Sequence, residues 1–227
     1  PILLAILLAI GFALLVATCH SLLIVKLGIS SIVVTLGSAT LLSGIAFAIQ
    51  NRAIPGISDN LVAVSRTKLL GIQAYFWWGL LLTIVVWYLF EYTPFGRYLF
   101  FTGASREIAR LSGVNTNRIR VVSLFAGTLI AAWAGILSAG LLGTSDPRVG
   151  AAFLLPMFAS AFLGSTVVKP GRFNAWGTFI AVYFLITGIT GLQLLGFSGW
   201  IEEVFYGSAL IIAVTLARLV GARQVGE

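Results

Sequence analysis

Charged side chains are what this sequence has least of. Asp, Glu, Lys and Arg together make up 9% of its 227 residues, against about 25% in ordinary soluble domains. So few charges cannot cover a water-facing surface of this size, which excludes a soluble globular protein. Cysteine occurs once, at Cys19, which excludes an intramolecular disulfide and any cysteine-based metal site. Histidine also occurs once, at His20. No Gly-x-x-x-x-Gly-Lys-[Ser/Thr] phosphate loop is present, so no ATP chemistry of that kind is expected in this chain. The long apolar runs hold no Asp, Glu, Lys or Arg. That absence argues against a proton- or ion-coupled carrier, and against an intramembrane enzyme built on His plus carboxylate or on paired Asp.

What is present is hydrocarbon. Apolar residues make up 59% of the chain, and the mean hydropathy is +1.04. Charge-free runs extend from Pro1 to Val25, Leu27 to Asn51, Leu69 to Phe90, Val121 to Ser145, Val149 to Val168 and Phe173 to Ile201. A further segment, Ile201 to Leu219, keeps Glu203 and Arg218 near its ends, where they can reach headgroups. A helix needs about 20 apolar residues to cross a bilayer, so these runs predict about seven membrane segments. The bilayer core offers no water to backbone groups, so the segments must be helices. The expected class is an all-α, polytopic transmembrane helix bundle. The first run lacks the basic flank and small-residue cleavage pattern of a signal sequence. A start on Pro1 rather than Met leads us to expect a chain incomplete at its N-terminus.

The net charge of +7 is a matter of topology, not of nucleic-acid binding. If the arginine-rich stretch from Pro94 to Arg120 is cytoplasmic, the inner loops hold Lys26, Arg97, Arg106, Arg110, Arg118, Arg120, Lys169, Arg172, Arg218 and Arg223. The outer loops hold Arg52, Arg66, Lys68 and Arg148, with the acidic Asp59, Asp146, Glu202 and Glu203. Ten basic residues against four follow the positive-inside bias, and the C-terminus is expected on the inner face. The longest outer loop runs from Gln50 to Gln73, with turn signals at Pro55-Gly56 and Ser58-Asp59-Asn60. "YFWW" (Tyr75 to Trp78) then enters the next helix as an interfacial aromatic belt, and "WYLFEY" (Trp87 to Tyr92) closes it. The segment from Phe153 to Val168 contains Pro156 and is expected to be a broken or re-entrant helix. Gly37, Gly44, Gly127, Gly135, Gly188 and Gly191 recur inside helices, where small residues let helices approach closely.

Within the arginine-rich stretch, Ser105 suits an N-cap, Glu107 the first turn and Gly113 the C′ position. This predicts a helix of about two turns from Arg106 to Ser112. Ile108 and Leu111 share one face, and Arg106 and Arg110 share another. So short a helix needs a surface to lie on. On physical grounds three readings stand: a topology-setting loop, a docking element for a cytoplasmic partner, and a clamp on anionic lipid.

The stretch "YTPFGRYLFFTGASREIARLSGV" resembles the cytoplasmic loop of ABC importer permeases of the ribose and branched-chain amino acid type, through Thr93, Gly96, Arg97, Gly103, Ala109, Arg110, Leu111 and Gly113. "SIVVTLGSATLLSGIAFAI", "GTLIAAWAGILSAGLLGTSDPRVG" and "TGLQLLGFSGWIEEVFYGSALIIAV" resemble other segments of that family, in the same order. Departures stand at Ser105 and Ile108, where Asn and Ala are usual, at Thr190 for Asn, at His20-Ser21 for Asn-Gly, and at Gly164-Ser165 and Pro170 to Arg172 around the broken segment. They leave the fold reading intact and bear on the solute.

The resemblance implies a single permease domain over residues 1–227, with residues 91–120 as a cytoplasmic loop. A complete chain would carry about ten spans of about 20 residues each. It implies a bacterial inner-membrane protein in which two permease subunits, alike or different, surround one pathway. Two cytoplasmic ATPase subunits, which use the ATP, would power it, and a periplasmic or lipid-anchored binding protein would deliver the solute. Ser105, Arg106, Glu107, Ile108, Ala109, Arg110, Leu111 and Gly113 would form the ATPase-coupling helix. For the pathway, polar residues inside helices are the natural candidates: Thr35, Ser38, Thr190 and Gln193, with Phe47 and Trp133 offering aromatic faces to a sugar. The expected solute is small and neutral, a monosaccharide. The alternatives are a branched-chain amino acid permease and a motor-independent secondary transporter.

Overall fold

The computed structural model describes residues 2–225, with side chains as far as Ala217. The side chains of Arg218 and Arg223, assigned above to the inner face, lie outside the described residues. In chain order, the elements begin with α1 (Ile2–Ser21), which runs into a π-helical turn (Leu22–Lys26), then α2 (Ser31–Ile49), β1 (Ile54–Pro55), α3 (Asp59–Arg66), β2 (Lys68–Leu69) and β3 (Ile72–Gln73). Next come α4 (Ala74–Tyr92), α5 (Pro94–Ala104), α6 (Arg106–Leu111), α7 (Thr116–Leu142) and β4 (Thr144–Ser145). The order closes with α8 (Val149–Ala152), α9 (Leu154–Val167), α10 (Ala175–Leu194) and α11 (Trp200–Val225).

Seven stretches among the described residues are long and apolar enough to cross a membrane: α1 with its π turn, α2, α4, α7, α8 with α9, α10, and α11 as far as Ala217. They coincide with the charge-free runs, because in hydrocarbon only a helix satisfies its own backbone. The segment expected to be broken runs on through Pro156 as one helix, Leu154–Val167, and the break falls at its start. Proline has no N–H to give to Ala152, four residues back, so the helix stops and turns at Phe153. It resumes with the Met157 N–H on the Phe153 carbonyl at 3.0 Å.

The chain forms two compact units. Residues 1–78 and 91–150 make the first, and residues 79–90 and 151–227 the second. In the first, α1 and α3 both pack on α7, and α5 packs on α6 and α7. The loop from Gln50 to Gln73 is more structured than its turn signals suggested. β1 pairs with β4 in antiparallel register, Ile54 opposite Ser145. α3 lies so close to α7 that a Cβ on Gly140 would overlap the Ser65 hydroxyl. Arg66 then donates from both Nε (3.0 Å) and Nη2 (2.9 Å) to the Leu141 carbonyl. A guanidinium there meets the negative end of the α7 dipole and one of its unpaired terminal carbonyls.

The close contact leaves Ser65, 2% exposed, with no partner for its hydroxyl. An unsatisfied buried hydroxyl costs about 1–3 kcal/mol. Ser65→Ala is therefore expected to raise the melting temperature of the detergent-solubilised protein by roughly 2–4 °C, at about 1 kcal/mol recovered. A fall in melting temperature would mean the hydroxyl is engaged after all.

In the second unit, α9 packs against both α10 and α11, around Ala159, Leu185, Ile189 and Tyr206. The tightest approach joins α9 to α10. A Cβ on Gly177 would overlap the Gly164 carbonyl, and one on Gly164 would overlap the Thr178 amide. Asn174 rivets the same spot. Its Oδ1 accepts from the Gly177 N–H (2.6 Å) as the α10 N-cap, while Nδ2 donates to the carbonyls of Gly164 and Arg172 (both 3.1 Å). Of the six glycines expected to mediate packing, only Gly188 meets a neighbour, the Phe205 ring at 2.7 Å from where its Cβ would stand. Gly37, Gly44, Gly127, Gly135 and Gly191 face open space. A glycine's partner is set by the opposing helix, which its own spacing does not reveal.

Candidate functional site

The short helix in the arginine-rich stretch forms as its caps dictate. Ser105 is extended (φ −154°, ψ 114°), and its Oγ accepts from the Ile108 N–H at 3.4 Å. At the other end Gly113 takes φ +82°. The Gly113 N–H reaches the Arg110 carbonyl and the Val114 N–H the Ala109 carbonyl, both at 3.0 Å. This is the Schellman stop, which needs a left-handed residue at Gly113. α6 is thus Arg106–Leu111, one residue shorter than expected.

The stop fixes which way the helix faces. Ala109 is turned inward, at 3% exposure, whereas Ile108 and Leu111 are 65% and 84% exposed. An apolar knob therefore projects from a polar, arginine-bearing element. Beside it a groove of about 650 Å³ is lined by Arg106, Glu107 and Arg110 and by the turn from Gly113 to Asn117. Asn115 caps the next helix, its Oδ1 accepting from the Arg118 N–H at 3.0 Å. Only four residues separate α6 from α7, so the two helices are joined with little slack.

Two features of this region were not read from the sequence. The preceding segment is itself a helix, α5, with Pro94 at its first position and the Thr93 Oγ1 accepting from the Gly96 N–H at 3.4 Å. The Thr93-Pro94 pair was its available signal. Second, Arg120, counted above only as a topology charge, donates from Nη2 to the Ile24 carbonyl inside the π-helical turn, at 3.3 Å. That contact spans 96 positions, so no local signal could have revealed it.

The pathway candidates are dispersed. The Thr35 hydroxyl bonds its own helix at Ser31 O (2.8 Å) and Ile32 O (3.3 Å), and Thr190 does the same at Ile186 O (2.7 Å). The Ser38 Oγ stands 3.0 Å from Thr35 O and 2.7 Å from His20 Nε2. A hydroxyl has a single proton, so Ser38 either gives it to Thr35 O and accepts from Nε2–H, or gives it to Nε2. His20 is accordingly a packed histidine bridging α1 and α2. Phe47 lies under the Arg148 guanidinium at 5.9 Å, and Trp133 meets the edge of Trp78 at 5.6 Å. Thr190 and Gln193 lie one turn apart on α10, both exposed. Thr35 and Ser38 come together; Phe47 and Trp133 each engage a different neighbour.

A cavity of about 720 Å³ in the first unit is lined by α1, α2, α7 and the loop from Gln50 to Gln73, including Phe12, Leu42, Leu61 and Ala139. None of Thr35, Ser38, Phe47 and Trp133 reaches it. The Thr128 hydroxyl at its wall is already bonded to Leu124 O at 2.8 Å. Such a wall suits hydrocarbon better than a hydroxylated ligand.

Over residues 1–214 the chain matches the family described as branched-chain amino acid transport system / permease component. Among single proteins it is similar to the ribose import permease protein of Haemophilus influenzae, 27% identical over 202 residues, covering 87% of this chain and 62% of that one. It is also similar to the ribose import permease protein of Bacillus subtilis, at 30% over 202 residues, covering 88% and 63%. A third relative is the autoinducer 2 import system permease protein of Photorhabdus laumondii, 28% identical over 190 residues, covering 83% and 57%. The chain thus spans about six tenths of the length of the curated ribose permeases it matches. No solved structure matches it.

Proposed function

Since the chain belongs to the family of permease components of branched-chain amino acid transport systems, we propose that it forms the membrane pathway of an ATP-driven importer for a small neutral solute, a monosaccharide. The observation that carries this reading is the capped helix α6, whose exposed Ile108 and Leu111 give a cytoplasmic motor something to grip. Two of the three relatives named are ribose import permeases, and the membrane runs offer a solute no charged partner. Both favour an uncharged sugar.

On this reading the chain is a multi-pass protein of the bacterial inner membrane, with α6 and the C-terminus in the cytoplasm. It pairs with a second permease subunit, two ATPase subunits and a solute-binding protein, and uses no cofactor of its own. The ATPases would hold Ile108 and Leu111 in a groove. When they close on ATP, α6 moves, and the Schellman turn and four-residue link carry that motion to α7. Arg120 passes it to the end of α1. Rigid-body rocking of this kind interconverts outward- and inward-facing states. Thr35, Ser38, Phe47, Trp133, Thr190 and Gln193 remain the pathway candidates, the exposed Thr190 and Gln193 foremost.

A second reading follows from the family's description, which names branched-chain amino acids. One experiment decides. The full-length chain is expressed with its genomic neighbours, purified through a tag and reconstituted in vesicles with the proteins that accompany it. Uptake of labelled ribose and of labelled leucine is then measured with and without ATP. ATP-dependent ribose uptake is expected. Leucine uptake alone would favour the second reading, and uptake indifferent to ATP would make the chain a secondary carrier.

A further inference from the structure

The outer loop ends in a two-stranded hairpin whose tip is unusual in both shape and chemistry. β2 and β3 pair Lys68 with Gln73 and Leu69 with Ile72, leaving Leu70 and Gly71 as the turn. Both turn residues are left-handed, with φ +53° at Leu70 and +80° at Gly71. Two-residue turns of this hand favour Asn-Gly or Asp-Gly. Leu70 is the only described non-glycine residue with positive φ, and a branched apolar side chain there is sterically disfavoured. The same side chain is 87% exposed and contributes nothing to a core. Leu69 and Ile72 are exposed beside it. A residue that suits neither its backbone nor an aqueous surface calls for a third environment.

The position of the tip identifies that environment. The hairpin is seated on the first turn of α4: the Ala74 N–H bonds Thr67 O at 2.8 Å, and the Trp77 indole N–H reaches Leu69 O at 3.3 Å. That first turn carries Tyr75, Phe76, Trp77 and Trp78, the aromatic belt that marks the membrane–water boundary. Lys68 stands exposed at the base of the hairpin, matched in charge to anionic headgroups. From this continuity we infer that the hairpin is a lipid-surface anchor. Leu70, flanked by Leu69 and Ile72, dips into the acyl boundary of the leaflet while Lys68 holds a lipid phosphate. The hairpin thereby fixes the depth of α4 and ties the outer loop to the membrane. The inference rests on membrane placement alone and stands whichever solute the chain carries.

Residues 1–227 hold a single cysteine, so the background is made by Cys19→Ser together with replacement of any cysteine elsewhere in the full chain. Leu70→Cys in that background is labelled with an environment-sensitive nitrobenzoxadiazole fluorophore. The full chain is reconstituted in vesicles of phosphatidylethanolamine and phosphatidylglycerol, with or without nitroxide-bearing lipid. The expected result is blue-shifted emission, quenched at least twofold by the nitroxide lipid, and neither effect for the same label at Asp59→Cys on α3. Because the label replaces the side chain in question, a second label at Ile72→Cys is read with and without Leu70→Asn. Asparagine keeps the left-handed turn but removes the hydrocarbon, and the quenching at 72 is expected to fall. Water-like, unquenched emission at 70 would overturn the inference, as would quenching at 72 that ignores Leu70→Asn. A shift at 70 that arises only on adding a soluble binding protein would also overturn it, making the tip a protein-docking surface.

Discussion

Ile108→Asp is expected, on the importer reading proposed above, to strip the motor ATPase from this chain while leaving the chain itself folded. Ile108 is 65% exposed and supports no core, and surface substitutions of that kind usually change stability by less than about 0.5 kcal/mol. In a bound groove the account is different. Apolar anchors that fill a partner's pocket contribute about 2 kcal/mol or more each, and an unpaired carboxylate buried in their place adds its own desolvation cost. A loss of about 3 kcal/mol corresponds to more than a hundredfold in affinity, enough to remove the ATPase from a tagged pull-down. Two companion variants resolve the mechanism. Ser105→Ala removes the cap bond to Ile108, a change of about 1 kcal/mol in helix stability, and should weaken retention only several-fold. Arg110→Glu reverses a charge on the groove beside the knob, so its effect should shrink as salt is raised. Full retention of ATPase by Ile108→Asp would leave the arginine-rich stretch as a topology signal only.

The largest structural effect is expected at Gly177. Here α9 and α10 touch backbone to backbone, and any side chain on Gly177 meets the Gly164 carbonyl and the Asn174 side chain. Neither obstacle can rotate away, because Asn174 is fixed by three hydrogen bonds. Gly177→Val must therefore part the two helices, and with them the core around Leu185, Ile189 and Tyr206. Overpacking costs about 1–3 kcal/mol in ordinary cores, and breaking the Asn174 bonds adds about 1 kcal/mol more. Near 3 kcal/mol the melting temperature should fall by roughly 6–12 °C, read by size-exclusion after heating in detergent. Gly191→Ala on the same helix is the control. Nothing lies near its Cβ, and alanine is the better helix former, so its melting temperature should hold or rise. Equal losses at both sites would refute the packing argument.

The parts of this fold that were legible in the sequence are those governed by local chemistry. Charge-free runs located the spans because hydrocarbon imposes one solution on every segment it surrounds. Their boundaries were less exact: α7 starts at Thr116, five residues before the run at Val121, because Arg118 and Arg120 sit within its first turns, and α4 starts at Ala74, five residues after the run at Leu69. The short helix α6 was legible because Ser105 and Gly113 act within a few residues of themselves. The "GLQLLG" segment is similar in kind. Its last glycine, Gly196, has φ +93° and ends α10 with its N–H on Gln193 O, beside the Phe197 N–H on Leu192 O. α3 was missed although Ser58, Asp59 and Arg66 mark its ends, because its surface is a neighbouring helix and not the bilayer. The pathway stayed obscure for a related reason. Thr35 and Thr190 spend their hydroxyls on their own helices, and facing partners are a matter of tertiary placement.

One residue too many is wound into the end of α1. From Leu22 to Lys26 the chain follows π rather than α geometry, with the Leu27 N–H reaching back five residues to Leu22 O, before the left-handed Gly28 ends the helix with the Ile29 N–H on Leu23 O. Rewinding that turn to α would release a residue into the stretch before α2 and swing whatever follows by roughly 100°. That extra residue lies in the turn whose Ile24 carbonyl accepts from Arg120. If the importer reading holds, a pull through that guanidinium meets a turn that can shorten by one residue, in place of a rod that must bend.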